Sequence, residues 1–226
     1  MNIAIVVPVF NEALALPSML RHLLVLQKSD SADFELVFVD GGSTDNTAAL
    51  IESAGLRVIQ SAKGRAWQMN AGAAQTTSDA LLFLHADTQL PDGALTAIAS
   101  SLAGNTCWGR FDVRIAGKPW MLGVVARMMN WRSRFSGIAT GDQAMFMTRQ
   151  AFQAIGGFPL QALMEDIEAS KRLRQLSRPA CIATTVITSG RRWETRGVWT
   201  TIVLMWRLRW AYWRGQNPQQ LAELYA

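Results

Sequence analysis

Ala80-Leu81-Leu82-Phe83-Leu84-His85-Ala86-Asp87 is an apolar run that ends abruptly in a histidine and a carboxylate two residues apart. A run of this kind, bounded by polar residues, reads as a buried central strand. The strand's period of two then puts His85 and Asp87 on one face at its C-terminal end. Open α/β sheets bind their ligands at that edge. A His/Asp pair there can ligate a divalent cation, because carboxylate oxygen suits Mg²⁺ or Mn²⁺ and imidazole moves the preference toward Mn²⁺ or a later metal. The alternative is that Asp87 or Thr88 caps a helix over Pro91 to Ser101 and His85 is only a polar strand end.

Working outward, the same alternation repeats upstream. Asn2 to Phe10 reads as a strand, followed by a helix carrying Leu14, Leu16, Met19, Leu20, Leu23 and Leu24. Phe34 to Val39 reads as a second strand, closed by Asp40-Gly41-Gly42-Ser43-Thr44-Asp45, in which Ser43, Thr44 or Asp45 can cap a helix through Ser53. Leu56 to Gln60 is a third strand, and Lys63 to Ala74 a polar loop and helix. Strands alternating with helices predict an α/β fold with a mostly parallel, doubly wound sheet flanked by helices. Beyond residue 103 the pattern loosens. Cys107 to Ile115 and Ala180 to Ile187 read as strands, Trp120 to Trp131 as an amphipathic segment, Ser136 to Gln143 as a loop, and Leu163 to Leu176 as a helix.

The 226 residues and their 50% hydrophobic content suit one domain with a sizeable core. The net charge of +5 is concentrated late, in Arg191, Arg192, Arg196, Arg207, Arg209 and Arg214, which fits an anionic partner such as nucleic acid, a phosphorylated lipid or a membrane surface. Cys107 and Cys181 show no CxxC spacing, consistent with a reducing cytosol. No signal peptide and no apolar run of about 18 residues is evident, so a cytoplasmic protein without a spanning helix is expected.

Three further groups carry candidate chemistry. Asp40, at the end of the second strand, can accept hydrogen bonds from a base or ribose, or can open an Asx-turn. Lys63-Gly64-Arg65 can reach a diphosphate, or be a solvated loop. Glu165-Asp166 at a helix start can supply a general base, or merely complement the helix dipole. No G-x-G-x-x-G follows the first strand and no P-loop motif occurs, which disfavours a dinucleotide site.

Val7-Pro8-Val9-Phe10-Asn11-Glu12, Val39-Asp40-Gly41-Gly42-Ser43-Thr44-Asp45, Lys63-Gly64-Arg65 with Asn70-Ala71-Gly72, His85-Ala86-Asp87, Gly156-Gly157-Phe158 and Glu165-Asp166, in that order, resemble a family-2 glycosyltransferase of the GT-A fold over about residues 2 to 193. The resemblance implies inverting transfer from a nucleotide-diphosphate sugar. By position, Pro8, Phe10, Asn11 and Glu12 would line the nucleotide pocket. Asp40 would bind the base, and Lys63 and Arg65 would lie near the base or diphosphate. Asp87 would match the second acid of the family's DxD motif and bind the metal, Mn²⁺ or Mg²⁺, with His85 beside it. Asp166 would match the catalytic base. Residues 1–103 would form the donor half, 104–193 the acceptor half, and 194–226 a helix and tail.

Two departures stand out. His85 replaces the first acid of DxD. Ser189-Gly190-Arg191-Arg192-Trp193 resembles the QxxRW motif of processive synthases with serine for glutamine, which implies a single transfer. Arg191 or Arg192 would meet the diphosphate, and Trp193 would stack on the acceptor. Asp142 and Gln143 would lie on an acceptor-side loop, and Glu165 would join them among the residues meeting the acceptor or diphosphate.

In Gly197 to Arg214, Trp199, Trp206 and Trp213 recur every seven residues beside an arginine stripe, and Arg209 interrupts the apolar face. That composition suits an interfacial helix at the inner face of the cytoplasmic membrane, with a lipid or lipid-linked acceptor, or else a core or dimer contact. The resemblance implies no nucleic-acid partner. Two other readings stay open: a metal-dependent nucleotidyltransferase, and a catalytically silent nucleotide-sugar or membrane-surface module.

Overall fold

The computed structural model describes residues 1–29 and 34–225. Its strands are β1 (Ile3–Val9), β2 (Phe34–Asp40), β3 (Val58–Gln60), β4 (Ala80–Phe83), β5 (Thr88–Gln89), β6 (Trp108–Ala116), β7 (Phe146–Thr148) and β8 (Ala180–Ser189). The helices are α1 (Leu16–Ser29), α2 (Thr47–Ser53), α3 (Arg65–Ala74), α4 (Ala94–Leu102), α5 (Met121–Ser136), α6 (Arg149–Ala154), α7 (Glu165–Leu176), α8 (Arg191–Arg196), α9 (Val198–Trp213) and α10 (Pro218–Tyr225). A 3-10 turn spans Gly141–Gln143.

The strands form one sheet in the order β3-β2-β1-β4-β7-β6-β8-β5. β1 lies parallel to β2 and β4, and β6 parallel to β8, whereas β7 runs antiparallel to both β4 and β6. Both faces of the central strands are covered, and the sequence reads as unbroken apolar runs for that reason. Ile3, Ile5, Val7 and Val9 pack with α1 and α4 residues on one face. Ala4 and Val6 pack with Ala66, Met69 and Ala73 of α3 on the other. Gly72 permits this approach: a Cβ there would lie 2.4 Å from Val6 Cγ1.

The fold departs from the sequence expectation in four places. β4 stops at Phe83, so His85 and Asp87 sit on a turn beyond the strand. The reason is that its neighbour β7 begins only at Phe146, after Ala144 has turned left-handed with φ 48°. Neither Asp87 nor Thr88 caps a helix: Thr88 and Gln89 instead pair with β8, and α4 starts after Gly93. The helix expected from Leu163 starts at Glu165, because Met164 is left-handed with φ 66°. Lastly, α10 follows α9 and packs Leu221 with Leu208, Leu163 and Met164.

Candidate active site

Two loops at the C-terminal ends of β1 and β2 are fastened to each other. Asp40 is buried and accepts from the Ser43 amide at 3.1 Å and from its hydroxyl. The Asn11 amide donates to Ser43 Oγ at 2.9 Å, and Asn11 Oδ1 accepts from the Thr44 amide at 2.8 Å. Asn11 takes a left-handed φ of 54° to do so, a conformation that asparagine tolerates better than most residues. Pro8 lies buried within β1 opposite Val39. Phe10 lies under the Lys63 ammonium at 4.0 Å. A residue the sequence reading passed over, Gln68 of α3, ties the two strand ends by donating to Val9 O at 2.7 Å and Val39 O at 2.8 Å. Its signal was only a glutamine on the inward face of an amphipathic helix.

The Glu12 amide donates to Thr47 Oγ1 at 2.9 Å, and its carboxylate meets Arg191 at 3.3 Å. Burial raises the Glu12 pKa, partly offset by Arg191, while the nearby Asp87 charge adds to the rise. Asp87 also lines a cleft of about 340 Å³ with Ala15, Ser18, Gln89, Thr188 and Arg191.

α7 opens with Glu165 and Asp166. Asp166 Oδ2 accepts from the Gly141 amide at 2.9 Å, and Oδ1 accepts from the Ile167 amide at 2.7 Å. Glu165 is buried against Arg65 at 3.4 Å. Burial raises the Glu165 pKa despite the opposing arginine, and the neighbouring Asp166 charge adds to it. Burial alone would lower the Arg65 pKa, but Glu165, with Tyr225, Asp166 and Asp142 around it, holds it above the usual range. His85 Nδ1 meets Asp142 Oδ1 at 3.3 Å, and its Nε2 packs on Gly141, where a Cβ would lie 2.4 Å away. Burial works against the His85 cation, but the Asp142 hydrogen bond and charge raise its pKa overall. Burial likewise disfavours the Asp142 anion, and His85 and Arg65 more than offset that, lowering its pKa.

The remaining sequence candidates divide. Gln143 is buried; its amide donates to Ser133 Oγ at 3.1 Å, and its oxygen accepts from the Thr140 amide at 3.3 Å, so it positions the turn that carries Asp142. Trp193 packs on the Leu122 and Ala126 cluster. Arg192 lies over the Tyr225 ring at 3.7 Å. Asn70 fastens α3 to the glycine turn through reciprocal 2.9 Å bonds with the Phe158 backbone.

Among the described residues, the three non-glycine residues with positive φ are Asn11, Ala144 and Met164. Each borders this edge: Asn11 precedes Glu12, Ala144 follows the turn bearing Asp142, and Met164 precedes Glu165. Such strained backbone concentrates where structure is held for function.

Two arginines also reach Asp166, and the sequence reading did not assign them. Arg132 of α5 and Arg209 of α9 both feel its charge. The sequence marks Arg209 as one of the late basic residues and as a break in an apolar stripe, without tying it to Asp166.

Among the described residues no three His, Cys, Asp or Glu side chains cluster to hold a metal ion. Mg²⁺ and Mn²⁺ ordinarily take one or two carboxylates and complete their shell with substrate phosphates and water. Asp87 fits that role. His85, with its ring nitrogens against Gly141 and Asp142, fits as a flanking group.

The mostly parallel sheet flanked by helices, with acids at the C-terminal ends of its strands, has the GT-A fold of glycosyltransferases. The chain belongs to glycosyl transferase family 2, whose model matches residues 4–156. An undecaprenyl-phosphate 4-deoxy-4-formamido-L-arabinose transferase of Pseudomonas fluorescens (strain SBW25) is 30% identical over 109 residues, 45% of this chain and 32% of that protein. The corresponding transferase of Shewanella sediminis (strain HAW-EB3) is 33% identical over 97 residues, 39% of this chain and 29% of its own. The chain thus spans about a third of the length of these relatives. Among solved structures, a mannosyltransferase from Pyrobaculum calidifontis in complex with GDP-Man and Mn²⁺ superposes with TM-score 0.66 at 18% identity, covering 99% of this chain and 68% of that one. S. aureus TarS 1-349 in complex with UDP gives TM-score 0.66 at 18% identity, covering 84% and 60%.

Proposed function

We propose that this domain transfers one sugar, with inversion, from a nucleotide-diphosphate sugar to a lipid-linked acceptor, and that Asp166 is the base. The observation that carries this reading is the Asp166 carboxylate. It is fixed at the start of α7 by two backbone amides, on the edge where Asp40 and Asp87 also end. Residues 1–103 hold the donor: Pro8, Phe10, Asn11, Glu12 and Asp40 shape the nucleotide pocket, and Lys63 and Arg65 face the diphosphate with Arg191. Residues 104–193 hold the acceptor, whose hydroxyl loses its proton to Asp166 as it attacks the anomeric carbon opposite the leaving group. A divalent cation held by Asp87 beside His85 would supply positive charge to the departing nucleoside diphosphate.

Lipid linkage is supported by two aromatic stripes left without cover. α9 exposes Trp199, Val203, Trp206, Trp210 and Trp213 while burying Leu208 on the opposite side. α5 exposes Met128, Trp131 and Phe135, with Trp120 just before it. Tryptophans beside arginines suit a bilayer interface. No helix among the described residues is long and apolar enough to cross a membrane. The relatives from Pseudomonas and Shewanella are named for a lipid-phosphate substrate.

The test is calorimetric titration of UDP, GDP and their sugars, each with and without Mn²⁺. Metal-dependent binding of one nucleotide supports the donor assignment and Asp87. Absence of any nucleotide binding overturns it in favour of a silent module, and release of pyrophosphate on turnover would reveal a nucleotidyltransferase.

A further inference from the structure

Arg132 and Arg209 pose a problem that the transfer reaction does not solve. They come from different helices, α5 and α9, yet Arg132 feels the Arg209 charge and both feel that of Asp166. Arg132 Nε and Nη2 are buried and have no hydrogen-bond partner among the described residues. None of the ion pairs among those residues includes Arg132 or Arg209. Burial, with Arg209 close by and Arg110 adding to it, pushes the Arg132 pKa down to about 10, and burial lowers that of Arg209 too.

The surrounding carboxylates do not balance the pair. Glu165 is matched to Arg65, Asp112 to Arg110 and Arg134, and Asp142 to His85, although the Asp142 charge also acts on Arg209. Asp166 alone faces both cations, and its oxygens already accept two backbone amides. A buried guanidinium without a counter-ion is costly, so a ligand that arrives with negative charge is strongly favoured at this place. A phosphate monoester carries about −1.5 to −2 at neutral pH and offers oxygens that match two planar guanidinium forks. A single carboxylate would leave one cation unmatched.

We propose that Arg132 and Arg209 form a phosphate-binding subsite on the acceptor side of Asp166, so that the acceptor is recognised through a phosphate monoester. This deepens the glycosyltransferase reading and rests on it for the word acceptor. The phosphate can belong to a lipid or to a small phosphorylated metabolite. The two helices that carry the arginines also expose tryptophans, Trp131 on α5 and Trp210 on α9, apolar surface that an alkyl chain could use.

The experiment is calorimetric titration of the full chain with octyl phosphate, inorganic phosphate and octanol, repeated with Arg132→Gln, Arg209→Gln and Arg132→Lys. Octyl phosphate is expected to bind, octanol not, and each glutamine variant to lose at least tenfold in affinity while UDP or GDP binding is unchanged. The lysine variant should fall between, keeping the charge but not the fork. Octyl phosphate tighter than inorganic phosphate assigns the ligand to lipids; equal affinities assign it to small phosphorylated molecules. Unfolding guards against a trivial loss, since removing an unpaired buried cation should leave Tm unchanged or raise it. Failure of the wild type to bind any phosphate, or glutamine variants that bind as well as it does, overturns the subsite. Phosphate binding without nucleotide binding would keep the subsite and overturn the glycosyltransferase reading instead.

Discussion

The two sides of the site are finished to different degrees. On the side proposed to hold the donor, the polar side chains close on one another: Asp40 on Ser43, Asn11 on Thr44, Gln68 on two strand-end carbonyls, Lys63 on Phe10. On the side proposed to hold the acceptor, Arg132 keeps buried nitrogens without partners, and two helices leave tryptophans in the open. A side held by its own bonds recognises a ligand through a preformed shape. A side with unmatched charge and bare aromatic surface is completed only by what it binds. The difference implies that changes on the donor side register first as stability, and changes on the acceptor side first as binding or turnover.

The largest expected effect tests the acceptor side. Asp166→Asn keeps the shape and one acceptor oxygen for the Gly141 amide but removes the proposed base, and should lower turnover about 10²–10⁴-fold, the usual worth of a positioned proton acceptor. Nucleotide binding, measured by calorimetry, should persist. Full activity in this variant would remove Asp166 from the mechanism.

The opposite behaviour is expected of Gln68→Leu. The volume is nearly kept, yet the buried Val9 and Val39 carbonyls each lose a donor. The expected cost is about 1–3 kcal/mol, or roughly 2–4 °C in Tm for each kcal/mol in a chain of this size. A Gln68 variant as stable as the wild type would erase the contrast between the two sides.

A smaller effect separates the membrane role of α9 from its packing role. Trp206→Ser and Trp213→Ser alter side chains that are 66% and 80% exposed, so stability should move by no more than about 0.5 kcal/mol. Co-sedimentation with anionic vesicles should fall several-fold. Point variants are needed because truncation at Gly197 would also remove Leu208 from beside Leu163 and Met164, and Met164 directly precedes the residues that open α7. Unchanged sedimentation would return the stripe to a contact between protein chains.

Much of the donor side was legible because β1, β2 and β4 are buried on both faces, which forces unbroken apolar sequence up to the edge where ligands bind. The acidic residues stood out by ending those runs. What was not legible depends on backbone turns and on long-range approach. Nothing in the composition of Met164 or Ala144 announces a left-handed conformation, yet these residues set where α7 and β7 begin. His85 and Asp87 seemed to share a strand face because the termination of β4 is decided by β7, which lies more than fifty residues later. Arg132 fell just past the segment read as amphipathic, and its isolation is visible only once α5 and α9 are brought together. Gln143 and Trp193 have the chemistry of acceptor contacts, but the fold uses the first to lock a turn and the second to pack a helix.

The smallest effect concerns the two histidines, His22 and His85, whose pKa values move in opposite senses. His22 of α1 accepts the Leu90 amide on Nε2 at 2.9 Å, so the neutral ring is the bonded form, and burial holds its pKa below the ordinary 6.5 although Asp92 opposes this. The unfolded chain takes up that proton more readily, so this contribution to stability is complete above pH 6.5 and declines as pH falls from 6.5 through the lowered folded value. For His85, burial is outweighed by Asp142 and the pKa is raised. Its contribution is complete below pH 6.5 and declines as pH rises from 6.5 through the raised folded value. The two together make stability peak near pH 6.5. In chelator-treated protein, denaturant melts between pH 5.5 and 8 should show His22→Gln flattening the acid limb and His85→Gln the alkaline limb. If His85→Gln leaves the alkaline limb intact, the His85–Asp142 pair does not hold a proton, and the histidine is left neutral, with an unprotonated nitrogen that could turn toward a cation beside Asp87.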